Sequence, residues 1–147
     1  MLYYSDEKDI LNLSDIEIIP IIPVNCVGVM GAGLALQFKQ KYPHLFNEYV
    51  EACNNNEIEI GHILYLKNDK EEFILFPTKD HWKNDSTLEY IELGLNGLVN
   101  FLDTFPNKKV AIPPIGCGCG KLAKEFVLPL IYEKTKECKN DLFLVGF

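Results

Sequence analysis

Apolar and polar positions follow two patterns along the chain, and each pattern predicts one kind of element. Continuous apolar runs bounded by Gly, Pro or polar residues are typical of buried strands. Five such runs occur, at residues 16–24, 63–66, 73–76, 110–115 and 142–145. Helical patterns lie between them, without repeats or linkers. The alternation predicts a single α/β domain over residues 1–147, with helices on both faces of a mixed, largely parallel sheet.

The clearest helical pattern begins at Ser86 and runs to about Leu102. Its apolar side chains recur every three or four residues and form one stripe, at Leu88, Ile91, Leu95, Leu98 and Leu102. Ser86 and Glu89 have the spacing of a capping box, in which the serine side chain accepts from a free amide of the first turn. We therefore expect this helix to begin at Ser86.

Two further helices are predicted from less regular patterns. The first begins near Gly33, directly after a glycine-rich segment, and ends before Pro43, which has no amide hydrogen to continue it. The second spans about residues 121–138 and contains Pro129. Either its first turns are irregular or the helix begins nearer Pro129, since proline is favoured in a first turn.

Two glycine-rich segments, residues 25–33 and residues 115–120, each lie between a predicted strand and a predicted helix. Glycine lets backbone amides approach a ligand closely, and a helix N-terminus carries partial positive charge. Together the segments favour a phosphate or diphosphate ligand, although each alone would also suit an ordinary tight turn. Neither has the order of a Walker loop or of a dinucleotide-binding fingerprint, which disfavours ATPase and dehydrogenase functions.

Composition and charge narrow the possible partners. The chain is 48% hydrophobic with a formal net charge of -7, so it can build one core but should attract polyanions poorly at long range. The cysteine count of five is odd, the first residues form no basic and apolar leader, and the longest apolar stretch is too short to span a bilayer. We expect a reduced, cytoplasmic protein without a membrane anchor.

Metal ligation is an alternative use for the cysteines of the second glycine segment. Cys117 and Cys119 do not have the Cys-x-x-Cys spacing of zinc sites, and no second pair accompanies them. The histidines are scattered, at His44, His62 and His81. We expect neither a metal nor another cofactor.

Four segments resemble the macro domain, a module that binds ADP-ribose. They are residues 8–11 (KDIL), the glycine segment at 25–33, residues 76–82 (FPTKDHW) and residues 113–118 (PPIGCG). The resemblance covers nearly the whole chain and implies a three-layer α/β/α fold. Residues 28–43 and 76–82 are most similar to the DNA ADP-ribosyl glycohydrolase antitoxins and the terminal ADP-ribose glycohydrolases.

The resemblance implies a role for each part of the binding site. Asp9, followed by Ile10, matches the acid that accepts a hydrogen bond from the adenine amine, although an Asp here would also cap a turn. Asn25 matches the side chain that orients the distal ribose. The other predicted ligand contacts are Gly31, Ala32, Gly33, Leu34, Thr78, Trp82, Gly116, Cys117, Gly118, Cys119 and Gly120.

The catalytic positions of the family separate hydrolases from binders. One hydrolase class has an Asp after the first glycine segment, where this chain has Ala35, and the terminal glycohydrolases have an Asp near the place of Gly120. Lys79 remains, and it matches the lysine on which catalysis depends in the DNA-directed and terminal glycohydrolases. Without the resemblance, Lys79 would be interpreted as a solvated surface lysine.

Two chemical roles are open to Lys79. A neutral amine would attack C1″ or the open-chain aldehyde of the distal ribose, whereas the charged form would stabilise the departing group. The nucleophile is the preferred interpretation. His81 is a candidate proton shuttle, or else it shapes the pocket wall. Trp82 either stacks on a substrate base or covers the core.

The predicted function is a hydrolase that removes mono-ADP-ribose from a modified macromolecule, either a DNA base or an acidic side chain. One alternative is hydrolysis of ADP-ribose 1″-phosphate. Another is a reader or sponge without turnover, supported by the absent acids at Ala35 and Gly120. ADP-ribosylated DNA would need a local basic patch, with candidates Lys39, Lys41, Lys83, Lys121 and Lys124. The sequence leaves the acceptor, a partner transferase and the oligomeric state open.

Overall fold

Six strands form one sheet in the computed structural model, which describes residues 1–147. They are β1 Leu2–Tyr4, β2 Ile18–Asn25, β3 Leu64–Lys67, β4 Glu72–Lys79, β5 Lys109–Ile112 and β6 Leu142–Leu144. Their spatial order is β1-β6-β5-β2-β4-β3, and all neighbours are parallel except β3 and β4. The predicted mixed, largely parallel sheet is confirmed. The apolar runs miss β1, because this short edge strand exposes Tyr3 and Tyr4.

Two pairs of helices cover the two faces of the sheet. The helices are α1 Gly33–Lys41, α2 Pro43–Asn54, α3 Leu88–Thr104 and α4 Lys124–Thr135. β4 contributes to both cores, with Phe73 and Leu75 packing against α1 and α2, and Ile74 and Phe76 packing against α3 and α4. Successive strand side chains point to opposite faces, which explains this division. None of the helices is long and apolar enough to cross a membrane. The three-layer arrangement is confirmed.

The two halves of the sheet meet on β2. Its residues Ile18 to Pro20 pair with β5, and its residues from Ile21 onward pair with β4. Near its carboxyl end the register with β4 shifts by one residue, which makes Thr78 an extra residue in β4. This β-bulge lies beside the carboxyl edge of the sheet, where ligands of such folds bind.

Proline accounts for two differences between the predicted and observed helices. The pattern does not predict α2, because Pro43 was expected only to stop the preceding helix. In the structure Pro43 also begins α2, since its missing amide hydrogen costs nothing in a first turn. α2 buries Leu45, Tyr49 and Ala52. α4 begins before Pro129 and carries it inside the helix, so a start at Pro129 is not observed.

The predicted start of α3 is wrong. Thr87 is the N-cap residue, and its hydroxyl oxygen accepts from the amide of Tyr90 at 3.1 Å. Ser86 is buried instead, and its hydroxyl donates to the carbonyl of Thr78. Leu88 is 38% exposed and lies outside the buried stripe. The capping-box spacing was misleading because tertiary contacts hold the serine away from the helix.

Candidate functional site

A cavity of about 800 Å³ opens at the carboxyl ends of β2, β4 and β5. Two loops form opposite parts of its wall: loop 1, residues 25–33, and loop 2, residues 115–120. The predicted site residues on the wall are Asn25, Gly31, Ala32, Gly33, Leu34, Thr78, Lys79, Trp82, Gly116, Cys117, Gly118, Cys119 and Gly120. The fold therefore brings together residues from three separate parts of the sequence.

The charge on the cavity wall is opposite to that of the whole chain. The formal net charge is -7, yet the charged residues that line the cavity are Lys79 and Lys124, and neither Asp nor Glu lines it. Lys124 also bonds within the chain, because its Nζ donates to the carbonyl of Gly146 at 2.7 Å. A wall with amines and without carboxylates favours an anionic ligand.

The first turn of α1 offers backbone amides to the cavity. Its N-cap is Ala32, which makes no side-chain hydrogen bond to those amides. Gly33, Leu34 and Ala35 of this turn line the cavity. A helix N-terminus without a capping side chain keeps unpaired amides and partial positive charge, so this turn also favours an anion.

Asn25 holds loop 1 together from its base. Its Oδ1 accepts from the Val27 amide at 3.0 Å and from the Tyr49 hydroxyl at 2.9 Å. Its Nδ2 donates to the Val29 carbonyl at 2.7 Å. Because an amide N–H only donates and a carbonyl only accepts, these contacts fix the orientation of the side-chain amide. One N–H of Nδ2 remains without a partner in the protein, on a residue that lines the cavity.

Tyr49 is a supporting residue that the sequence reasoning missed. It lies on α2, is fully buried, and its hydroxyl also donates to the backbone carbonyl of Asn25 at 2.8 Å. Burial raises the pKa of the Tyr49 phenol above its ordinary value, so the hydroxyl keeps its proton and remains a donor. The helical spacing of Leu45, Tyr49 and Ala52 was the available signal for this buried face.

The structure gives a different reason for the presence of glycine at each of the three glycine positions of loop 2. Gly116 has a φ of +75°, in the left-handed region that favours glycine. A Cβ on Gly120 would lie 2.5 Å from the Gly116 carbonyl oxygen and 2.8 Å from the Cβ of Ser86, so an Asp has no room there. A Cβ on Gly118 would have no atom within 4 Å. Backbone conformation and packing therefore explain Gly116 and Gly120 but leave Gly118 free to face a ligand.

Lys79 is buried at the end of β4, with 8% of its surface exposed. Its Nζ donates to the carbonyls of Trp82 at 3.1 Å and Cys119 at 3.3 Å. These two contacts leave one further position on the nitrogen, which holds a third N–H in the charged form or the lone pair in the neutral form. Lys79 is therefore not a solvated surface lysine, and the geometry suits both chemical roles considered for it.

Three predicted site residues are not on the cavity wall. Asp9 is exposed, and its Oδ1 accepts from the Leu11 amide at 3.0 Å, so it caps a turn. Ile10 is buried in the core beneath α1 and α2. The Nδ1 of His81 accepts from the Lys83 amide at 3.1 Å, which organises the turn after β4.

Trp82 lies at the edge of the cavity and is 49% exposed, so it does not serve as a cover for the core. The Nζ of Lys83 lies 5.3 Å from the centre of its ring. The other basic candidates away from the cavity wall have partners within the chain: Lys39, Lys41 and Lys121. Stacking of Trp82 on a base stays a prediction.

The fold and the cavity together define a class of protein: a three-layer α/β/α domain whose two glycine loops form an anion-favouring site at the carboxyl ends of parallel strands. The family model described as Macro domain matches residues 21–131. The chain belongs to the macro domain family.

Several curated proteins are similar to the chain in sequence. The chain is 44% identical over 108 residues to the DNA ADP-ribosyl glycohydrolase of Mycobacterium tuberculosis, a match that covers 71% of this chain and 31% of the relative. It is 42% identical over 103 residues to the DNA ADP-ribosyl glycohydrolase of Thermus aquaticus, covering 67% of this chain and 29% of the relative. The chain spans about a third of the length of the curated relatives it matches.

Solved structures show the same similarity in three dimensions. The macrodomain of Mycobacterium tuberculosis DarG matches with a TM-score of 0.90 and 35% identity, covering 100% of this chain and 98% of that one. The Thermosipho africanus DarTG in complex with ADP-ribose matches with a TM-score of 0.77 and 33% identity, covering 88% of this chain and 39% of that one. The likeness to DarG macrodomains therefore extends over the whole chain.

Proposed function

We propose that the chain binds ADP-ribose in the cavity and hydrolyses its bond to a modified macromolecule, with ADP-ribosylated DNA as the first candidate substrate. The observation that carries the proposal is Lys79, a buried amine on the cavity wall that two carbonyls hold with one position of the nitrogen free. The names of the relatives, DNA ADP-ribosyl glycohydrolase, support the same activity.

The residues on the cavity wall favour one orientation of bound ADP-ribose. The diphosphate would lie between the first turn of α1 and loop 2 at Gly118, where backbone amides and open space face each other. The distal ribose would then lie between Asn25 and Lys79, next to the free N–H of the asparagine. Assignment of the adenine to Asp9 and Ile10 rests on the family resemblance alone. The bound ADP-ribose of the Thermosipho relative supports this choice of ligand.

In the proposed reaction, the neutral amine of Lys79 attacks C1″ of the distal ribose. The bond between C1″ and the acceptor breaks, and the acceptor leaves with the proton that the amine loses. Water then cleaves the lysine adduct to give ADP-ribose and the free amine. The alternative is a charged Lys79 that stabilises the leaving group while water attacks. The two neutral carbonyl partners and the free position on the nitrogen permit either role.

Side-by-side incubation with three substrates tests the proposal: ADP-ribosylated DNA, protein carrying ADP-ribose on acidic side chains, and ADP-ribose 1″-phosphate. We expect release of ADP-ribose from the DNA, and its loss with Lys79→Ala. Borohydride added during turnover should trap an adduct on Lys79 if an imine forms. Preferential release from the protein or the phosphate would redirect the proposal to that acceptor, and full activity of Lys79→Ala would remove Lys79 from the mechanism.

A second candidate function is a reader that binds ADP-ribose without turnover. It is supported by the absence of Asp and Glu from the cavity wall, since a carboxylate is the usual base for activating water. The same three substrates separate the candidates. A reader would bind ADP-ribose but would release it from none of the three substrates.

A further inference from the structure

Ser86 is buried beside the cavity and does not serve the helix that follows it. It is 5% exposed, and its neighbour Thr87 caps α3 by accepting from the amide of Tyr90. The hydroxyl of Ser86 donates to the carbonyl of Thr78, and its amide donates to the carbonyl of Gly120 at 3.0 Å. Ser86 therefore joins the end of β4 to loop 2.

The hydroxyl contact supports the β-bulge of β4. The pairs on either side of the bulge are Val24 with Pro77 and Asn25 with Lys79. Successive residues of a regular strand point to opposite faces, yet Thr78 and Lys79 both line the cavity. Bulges redirect side chains in this manner. The direction of Lys79 therefore depends on a bulge whose extra residue is bonded to Ser86.

The amide contact supports the loop that receives the lysine. The Nζ of Lys79 donates to the carbonyl of Cys119, and the next carbonyl in the chain, that of Gly120, accepts from the Ser86 amide. A Cβ on Gly120 would lie 2.8 Å from the Cβ of Ser86, so these two residues are in close contact. Ser86 thus contacts both the strand that carries Lys79 and the loop that holds its amine.

We propose that Ser86 is a positioning residue that directs the amine of Lys79 toward the cavity through its hydrogen bond to Thr78. The inference rests on the proposed function, in which Lys79 reacts at the distal ribose. Ser86 is not part of the cavity wall. Loss of its hydroxyl leaves the amine present but misdirected, and such a displacement lowers the rate of the chemical step more than it lowers substrate binding.

Ser86→Ala tests the hydroxyl, and Thr87→Ala is the matched control. Each variant removes one side-chain hydrogen bond at adjacent positions, but the Thr87 bond serves only the first turn of α3. With ADP-ribosylated DNA, Ser86→Ala is expected to lower kcat about 10- to 100-fold with little change in KM. Thr87→Ala is expected to lower Tm and to leave kcat unchanged.

A second measurement does not depend on turnover. In protein grown with isotope-labelled lysine, the side-chain NMR signal of Lys79 is assigned through its loss in Lys79→Arg. This signal is expected to move in Ser86→Ala and to stay in place in Thr87→Ala. If the wild type releases ADP-ribose from none of the acceptors but the signal moves as expected, the proposed function fails while the positioning of Lys79 by Ser86 stands.

Two outcomes would overturn the proposal. One is a wild-type kcat with an unmoved Lys79 signal in Ser86→Ala, and the other is an equal loss of kcat in Ser86→Ala and Thr87→Ala. Should Ser86→Ala fail to fold, Ser86→Cys keeps a weaker donor at the same position. That variant is expected to give a kcat below that of the wild type and a displaced Lys79 signal, and wild-type values for both would count equally against the proposal.

Discussion

The two glycine loops that face each other across the cavity are stabilised in different ways. Loop 1 depends on a side chain, because Asn25 bonds to three of its backbone groups and to Tyr49 beneath it. Loop 2 depends on close packing, because Gly116 and Gly120 are in contact with each other and leave no room for a side chain. The comparison teaches that a glycine near a cavity indicates a ligand only when neither backbone conformation nor packing explains it.

The largest effect is expected at Lys79, which β4 carries to the space between the loops and which bonds to loop 2. Lys79→Ala should lower kcat by about 10²- to 10⁴-fold while retaining ADP-ribose affinity, since the lost interaction belongs to the transition state. Single-turnover release and calorimetry measure the two quantities. Lys79→Arg should not restore activity, because a guanidinium remains protonated; substantial restoration would indicate charge stabilisation by Lys79 instead of nucleophilic attack.

The next effect sharpens the distinction within loop 2. Gly118→Glu should fold normally, because its side chain enters open space, but it should place a carboxylate against the diphosphate. Two like charges about 4 Å apart repel by about 4 kcal/mol at an effective dielectric constant near 20, which corresponds to a loss of about 10³-fold in affinity. Calorimetry with ADP-ribose gives the affinity, with Gly118→Ala as the uncharged control. Near-native affinity of a folded Gly118→Glu would remove loop 2 from the binding site.

Gly120→Ala should act mainly on the stability of the fold, whereas Gly118→Glu acts on ligand affinity. The added Cβ would lie 2.5 Å from the Gly116 carbonyl oxygen, so the loop must move to accept it. We expect a loss of about 1–3 kcal/mol in the free energy of unfolding, the usual cost of overpacking. Gly118→Ala should change stability little. Chemical denaturation of both variants checks the contrast, and equal stabilities would show that loop 2 is not held by packing.

Loop 1 should respond to a side-chain change at its base. Tyr49→Phe removes the hydroxyl that donates to Asn25, and we expect ADP-ribose affinity to fall by about 1–1.5 kcal/mol as the loop loosens. Tyr65→Phe is the control, since it loses a hydroxyl contact to Glu72 away from the cavity. If both variants bind ADP-ribose as the wild type does, Asn25 needs no support from α2.

The smallest expected effect is a pH dependence of the free energy of unfolding that arises from Cys26 in loop 1. Burial raises the pKa of the Cys26 thiol from 9.0 to about 11. A group whose pKa is raised by folding stabilises the protein fully below its unfolded pKa and loses that contribution as the pH rises through the folded value. Stability should therefore decline between about pH 9 and pH 11, by on the order of 1 kcal/mol because Cys26 is only half-buried. Denaturation midpoints of Cys26→Ala should decline less over this range.

Much of the fold followed from the apolar pattern, because five strands carry continuous apolar runs and α3 carries a regular apolar stripe. α1 and α4 followed from less regular patterns and from the residues at their ends. α2 was missed because Pro43 was interpreted only as the end of α1, although proline is also favoured in a first turn and here begins α2. The cap of α3 was misplaced because the contacts that bury Ser86 come from other elements, Thr78 at the end of β4 and Gly120 in loop 2. Tertiary contacts of this kind leave no local signal.

The cavity residues were predicted where they lie in the glycine loops, at the start of α1, or at and just after the end of β4. The burial of Lys79 was not predictable from its neighbours Thr78 and Asp80, because it depends on the bulge and on the carbonyl of Cys119. Tyr49 was missed for a related reason, since it acts through its hydroxyl from beneath loop 1. The sequence thus indicated which segments surround the cavity, while the supports that orient their side chains required the structure.

The divided pairing of β2 has a mechanical consequence. Its ladder with β5 ends at Pro20, and further along the chain Pro23 of β2 and the prolines that follow β5, Pro113 and Pro114, line the cavity. Prolines donate no hydrogen bond, so these three residues cannot extend the ladder between β2 and β5 along the cavity wall. A ligand bound there would contact both β2 and the segment that follows β5, and would so connect the two halves of the sheet. We therefore expect a bound ligand to stiffen the sheet as a whole, because it would contact both of its halves.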